Sequence, residues 1–230
     1  MTISYSRIID LGHEMFTNMP MLDDNATTLF WENNTFAGMA RYSEGKISAR
    51  SRMMLMFEHS STHVDAPGHF DPDGMTVDQI PLENLIAPGH LLDLTHKKPY
   101  EPIGPDDFAA AVEASGKEIT PGTVVIANTG VYKNYGVGDF RTGRPYITGE
   151  GGQWMVDQGV TIFGTDLIGI DNPEEMWNPT HTAFLMNGVP MIQQLNNLDQ
   201  LVGLDFLFVA LPWQMLGGTA SPVRPVALVA

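Results

Sequence analysis

The sequence predicts an α/β fold: a single domain over residues 1–230 with a mixed β-sheet and flanking helices. Short β-branched runs such as Thr123–Ala127 (T-V-V-I-A) and Val160–Gly164 (V-T-I-F-G) suit buried strands. Helical stretches that end in glycine alternate with those runs. No internal repeat breaks the alternation.

Taken in order, Arg7–Leu11 (R-I-I-D-L) predicts a first short strand, stopped at Gly12. Glu14–Arg52 carries Phe16, Met19, Met21, Phe30, Trp31, Phe36, Met39 and Tyr42 among Asn, Asp and Gly, with no sustained period. It is too aromatic for disorder and reads as a long ordered loop region with short strands. Such a region either carries binding surface or covers the core. Arg52–Asp65 predicts a strand, ended by Pro67–Gly68, and Phe70–Gly74 (F-D-P-D-G) a turn. Leu91–Leu94 and Thr123–Ala127 predict buried strands. Between them Asp106–Ser115, acidic at its start and closed by Gly116, predicts a helix. Tyr132–Arg144 reads as a loop. A helix follows over Thr148–Gln158, stopped by Gly159. Val160–Gly164 leads into an acidic loop through Asp171, and Thr180–Asn187 predicts a short helix stopped by Gly188. Asp205–Leu211 and Val223–Val229 are the last two strands, Pro225 placing the second at an edge.

The 43% hydrophobic content is enough for a full core. Twelve basic against 27 acidic side chains give a net charge of −15, spread along the chain. That balance repels phosphate backbones and anionic membranes and argues against nucleic-acid binding. No run approaches the ~18 apolar residues of a bilayer span. The N-terminus lacks a basic start followed by an apolar core, so no signal peptide and a cytoplasmic location are expected. The absence of cysteine excludes disulfides, thiolate metal sites and a Cys nucleophile.

Chemistry concentrates in Phe57–Phe70, F-E-H-S-S-T-H-V-D-A-P-G-H-F. Imidazole and carboxylate are the ligand types of a catalytic divalent ion. His59, His63 and Asp65 share parity, so an extended backbone aims all three at one face. Four residues of straight strand span roughly 13 Å, too far for two imidazoles to share one ion. The chain must therefore curve, and Ser60–Ser61 is the place for a bulge. A helix would also close the gap, but Thr62, Val64 and Pro67 argue against one. His69, beyond a Pro-Gly turn, can lie near the ion without binding it, where a general acid/base belongs.

The run His59–Phe70, H-S-S-T-H-V-D-A-P-G-H-F, resembles the pattern H-x-G-T-H-x-D-x-P-x-H-F of the cyclase-like metal-dependent hydrolases, with Ser61 where that pattern has Gly. The family includes bacterial kynurenine formamidase and isatin hydrolase. Asp10–Leu11, His181 with Gln193 twelve residues on, and Ser221–Arg224 (S-P-V-R) extend the resemblance thinly over most of the chain.

The resemblance implies the family's swivelling β/β/α fold and metal-assisted hydrolysis of a C–N bond. It also implies His59, His63 and Asp65 as metal ligands, His69 as proton carrier and His181 as a second catalytic residue. At 193 formamidase-like members carry a metal-binding acid, and Gln193 departs from it toward the isatin hydrolase branch. With Asp65 as the single anionic ligand, one dication leaves the site at +1 and two leave it at +3, which is costly in a partly dry pocket. One divalent ion is therefore expected, held by His59, His63, Asp65 and Gln193, with Mn²⁺ first and Zn²⁺ second. A small cyclic amide such as isatin is the implied substrate, with Trp31 and Phe36 stacking on it or packing in the core. An arylformamidase acting on N-formylkynurenine is the alternative enzyme, and a metal- or ligand-binding protein without turnover is the other class. A homodimer is expected by the same resemblance.

Overall fold

The structure, a computed structural model, describes residues 4–22, 25–137 and 142–230. Its strands are β1 (Arg7–Asp10), β2 (Leu29–Asn34), β3 (Ser51–Leu55), β4 (His63–Asp65), β5 (Ile86–Asp93), β6 (Pro102–Ile103), β7 (Val124–Asn128), β8 (Tyr146–Ile147), β9 (Ile162–Thr165), β10 (Met191–Gln193), β11 (Phe206–Val209), β12 (Ala220–Pro222) and β13 (Val226–Val229). Its helices are α1 (Phe36–Tyr42), α2 (Pro105–Ser115), α3 (Gly149–Asp157) and α4 (Pro179–Leu185).

Nine strands form one mixed sheet in the order β1-β13-β11-β5-β7-β9-β10-β4-β12. Neighbours from β5 to β10 run parallel, and the flanking pairs run antiparallel. Alternation along β7 sends Val124 and Ile126 into one apolar cluster and Val125 and Ala127 into a second. The second cluster is covered by the helices through Phe108, Met155 and Phe184. The first joins Ile9 of the edge strand β1 to Val64 of β4 near the opposite edge, so the sheet curls around it.

Helix ends follow the punctuation in the sequence. Asp107 accepts from the backbone N–H of Gly104 at 2.9 Å at the start of α2, and Gly116 closes it at φ 67°. Thr148 caps α3 by accepting from Gly151 N–H at 3.1 Å.

Three expectations are corrected. Arg52–Asp65 is not one strand: β3 ends at Leu55, and a turn separates it from β4. Val226–Val229 is not an edge, because β13 lies between β1 and β11. Pro225 precedes the strand and contributes only its carbonyl, to Leu11 N–H at 2.9 Å, so its missing N–H costs no ladder bond. Within the nine-stranded sheet the proline on an edge strand is Pro222 of β12. Finally, Glu14–Arg52 holds not only short strand but helix α1. β2, β3 and α1 form an arm in which no side chain is buried.

Candidate metal centre and its cavity

β4 lies between β10 and β12, and its register sets His63 opposite Gln193. His63 and Asp65 leave one face of the strand, while Val64 enters the curled core. His59 returns to that face through a turn whose sharpest residue, Ser61, takes φ 58°. The predicted curvature therefore falls at Ser61, as a turn between two strands and not as a bulge in one.

Outer hydrogen bonds orient the two imidazoles. His63 donates from Nδ1 to the Ser61 carbonyl at 2.8 Å, which turns Nε2 to Asp65 Oδ1 at 3.3 Å. The Thr219 hydroxyl donates to Glu58 Oε1 at 2.6 Å. It is thereby left to accept from His59 Nε2–H at 3.3 Å. His59 Nδ1 then faces Asp65 Oδ1 at 2.6 Å. One ligand atom from each of His59, His63 and Asp65 lies within 4.8 Å of the others, and all three residues are buried. Two imidazole nitrogens and a carboxylate oxygen gathered this closely fit a divalent ion. Burial opposes ionisation of Asp65, yet His63 and His59 hold its carboxyl well below the usual carboxylate range.

Asp65 Oδ2 accepts from Gln193 Nε2 at 2.7 Å, and the same nitrogen lies 3.1 Å from His181 Nε2. Gln193 Oε1 accepts from Gly169 N–H at 2.9 Å. Only the amide oxygen can accept from an N–H, so Gly169 fixes the orientation. Gln193 thus offers hydrogens to Asp65 and His181, with its amide oxygen turned to Gly169. His181 is oriented in turn by Asp171, whose carboxylate accepts from Nδ1 and from Thr180 N–H.

His69, in a tight turn after β4, stacks obliquely 4.2 Å from the His59 ring and 6.3 Å from the His181 ring. Burial lowers its pKa to about 4, so at neutral pH its imidazole is unprotonated. Phe70 stacks on His181 at 5.2 Å. These groups line a cavity of about 420 Å³. Its walls include His59, His63, His69, His181, Gln193 and Arg144. Trp31 and Phe36 do not line it; both sit on the exposed arm.

The sequence motifs missed the supporting residues Glu58, Thr219, Gly169, Asp171 and Arg144. Asp171 falls in the acidic loop after β9, but no spacing rule links it to His181.

The chain belongs to the Cyclase family, whose model matches residues 9–172. Among curated proteins it is similar to an isatin hydrolase of Roseibium aggregatum, 29% identical over 76% of this chain and 73% of that protein. It is also similar to a kynurenine formamidase of Geobacillus thermodenitrificans, 28% identical over 94% of each. The solved isatin hydrolase A of Ralstonia solanacearum has the same fold, with a TM-score of 0.84 at 24% identity over 97% of this chain and 92% of that one.

Proposed function

We propose that this chain is a metal-dependent hydrolase that opens a C–N bond of a small aromatic or cyclic amide. The observation that carries the reading is the convergence of His59, His63 and Asp65, whose ligand atoms lie buried within 4.8 Å of one another. Those three residues would hold the ion. A divalent ion there supplies a Lewis acid that polarises a carbonyl and acidifies water. Two nitrogens and one carboxylate oxygen suit Mn²⁺ or Zn²⁺, and one anionic ligand favours a single ion.

The other residues handle protons and orientation. His69, neutral and facing the cluster, accepts a proton from the attacking water and returns it to the departing nitrogen. Gln193 holds Asp65 in place through its amide N–H. Asp171 keeps the His181 Nδ1–H engaged, so that Nε2 faces the reacting groups. Balance is simple: water adds across the C–N bond, giving an acid and an amine.

A cyclic amide such as isatin is the first substrate to test and an N-formylkynurenine-like arylformamide the second, since relatives of both names match at nearly equal identity. The test combines elemental analysis with turnover of isatin, aryl formamides and simple lactams in the presence of Mn²⁺ or Zn²⁺. His69→Ala is expected to retain the ion and lose about 10²–10⁴-fold in turnover. Retention of both ion and turnover would remove His69 from the proton-carrier role, and bound ion without turnover in the unaltered chain would leave a binding protein as the better reading.

A homodimer belongs to the same proposal. The arm of β2, α1 and β3 exposes Leu29, Trp31, Phe36, Tyr42, Met53 and Leu55. A lone two-stranded ribbon is marginal in water, so the arm needs cover, and a second copy supplies it.

A further inference from the structure

Arg144 is the single lysine or arginine lining the cavity among the described residues, and it is only 7% exposed. Its partners do not account for a buried cation. One terminal nitrogen donates to the Asp171 carbonyl at 3.3 Å, and Nε, itself buried, has no partner among the described residues. The Asp171 carboxylate nearby is already committed to Thr180 N–H and His181 Nδ1. Burial lowers the guanidinium pKa to about 10, partly offset by Asp171 and Tyr100, so the group stays charged at neutral pH. A buried charge is tolerated when hydrogen bonds complete it, and the described residues supply one to this fork.

Its position is set by contacts. The second terminal nitrogen lies 3.1 Å from where a Cβ on Gly169 would stand, and Gly169, at φ 64°, carries none. The N–H of Gly169 holds Gln193, and Gln193 holds Asp65. The guanidinium therefore stands one residue behind the row that ends at the cluster. Asp171 and Glu175 also line the walls and repel anions, as does the net charge of −15. Arg144 is the lining side chain that favours an anion, and its planar fork matches a carboxylate.

We propose that Arg144 is the anion-recognition residue of this cavity and takes a carboxylate group carried by the substrate or released in the product. The inference rests on the hydrolase reading, since hydrolysis of a cyclic amide creates a carboxylate and an aryl formamide can bear one from the start.

The test uses the full chain loaded with Mn²⁺ or Zn²⁺, with benzoate and benzamide as charged and neutral probes in calorimetric titrations. Arg144→Gln is expected to weaken benzoate about 10–100-fold and to move benzamide by less than about threefold, with metal content unchanged. Arg144→Lys, which keeps the charge but not the fork, should fall between. Two kinetic arms separate the sources. A carboxylate on the substrate shows as a fall in kcat/KM for a carboxylated aryl formamide but not for its methyl ester. A carboxylate on the product shows as relief of inhibition by the ring-opened acid, with kcat/KM for the neutral cyclic amide unchanged. Equal changes for charged and neutral probes, or no change in either, overturn the proposal. If Arg144→Gln does not fold, Arg144→Lys decides, and undiminished preference for benzoate over benzamide counts against it. Failure of the hydrolase reading shows separately, as no turnover in any arm, while the benzoate titration still reports on Arg144.

Discussion

Ser61 shows how one backbone angle builds the centre. At φ 58° it lies in the left-handed region, where a Cβ is disfavoured and glycine is at ease. The turn aims its carbonyl back at His63 Nδ1, which turns Nε2 toward Asp65. The family pattern has glycine here, and the angle supplies the physical reason. Ser61→Gly is expected to leave metal content unchanged and to raise stability by about 1 kcal/mol, read from the denaturation midpoint. Gln193 makes the second residue-scale case. Its amide hydrogens join Asp65 to His181 without adding negative charge. Gln193→Glu places a second carboxylate there and is expected to raise the ion stoichiometry above one. Unchanged stoichiometry in elemental analysis would count against the charge argument. His59, His63 and Asp65 were legible because they lie within seven residues of sequence. Arg144 and Asp171 were not, since their partners come from other elements and neither residue sits in a recognisable spacing.

At the scale of elements, the longer strands and punctuated helices were readable, and the shortest strands were not. β10 and β12 have three residues each, too few for a period to declare itself. Yet these two hold β4 from either side and carry Gln193 and Ala220–Pro222 to it. Strand packing elsewhere depends on a close approach. A Cβ on Gly89 of β5 would lie 1.9 Å from the Phe206 ring of β11. Phe206 is buried in the curled core and has little room to withdraw. Gly89→Ala is therefore expected to cost about 1–3 kcal/mol in chemical denaturation. A change near zero would show that the ring can move aside.

Over the whole molecule, the curl of the sheet and the exposed arm decide different things. The curl gathers β1, β4, β11 and β13 around one apolar cluster and leaves the opposite face of β4 to the cavity. No helix among the described residues is long and apolar enough to cross a membrane, so the exposed apolar residues of the arm are not part of a helical span. A second copy is expected to cover them. Light scattering on a sizing column should give twice the chain mass, and Trp31→Glu should shift it toward one; a wild-type monomer would refute the dimer. Trp31 and Phe36 reach a cavity only if that cover brings them to the partner's, because within one chain they stand apart from it.

The sequence by itself determined the α/β class, the family and the candidate metal-binding run, because strand period, helix caps and the His59–Phe70 motif are local in the chain. The tertiary structure decided what each polar atom faces. Hydrogen-bond direction depends on partners 24 residues distant in the case of Gly169 and Gln193 and 160 in that of His59 and Thr219. No local pattern encodes such pairings; the sheet register does. It set the Gln193 amide against Asp65 and Arg144 against the cavity wall.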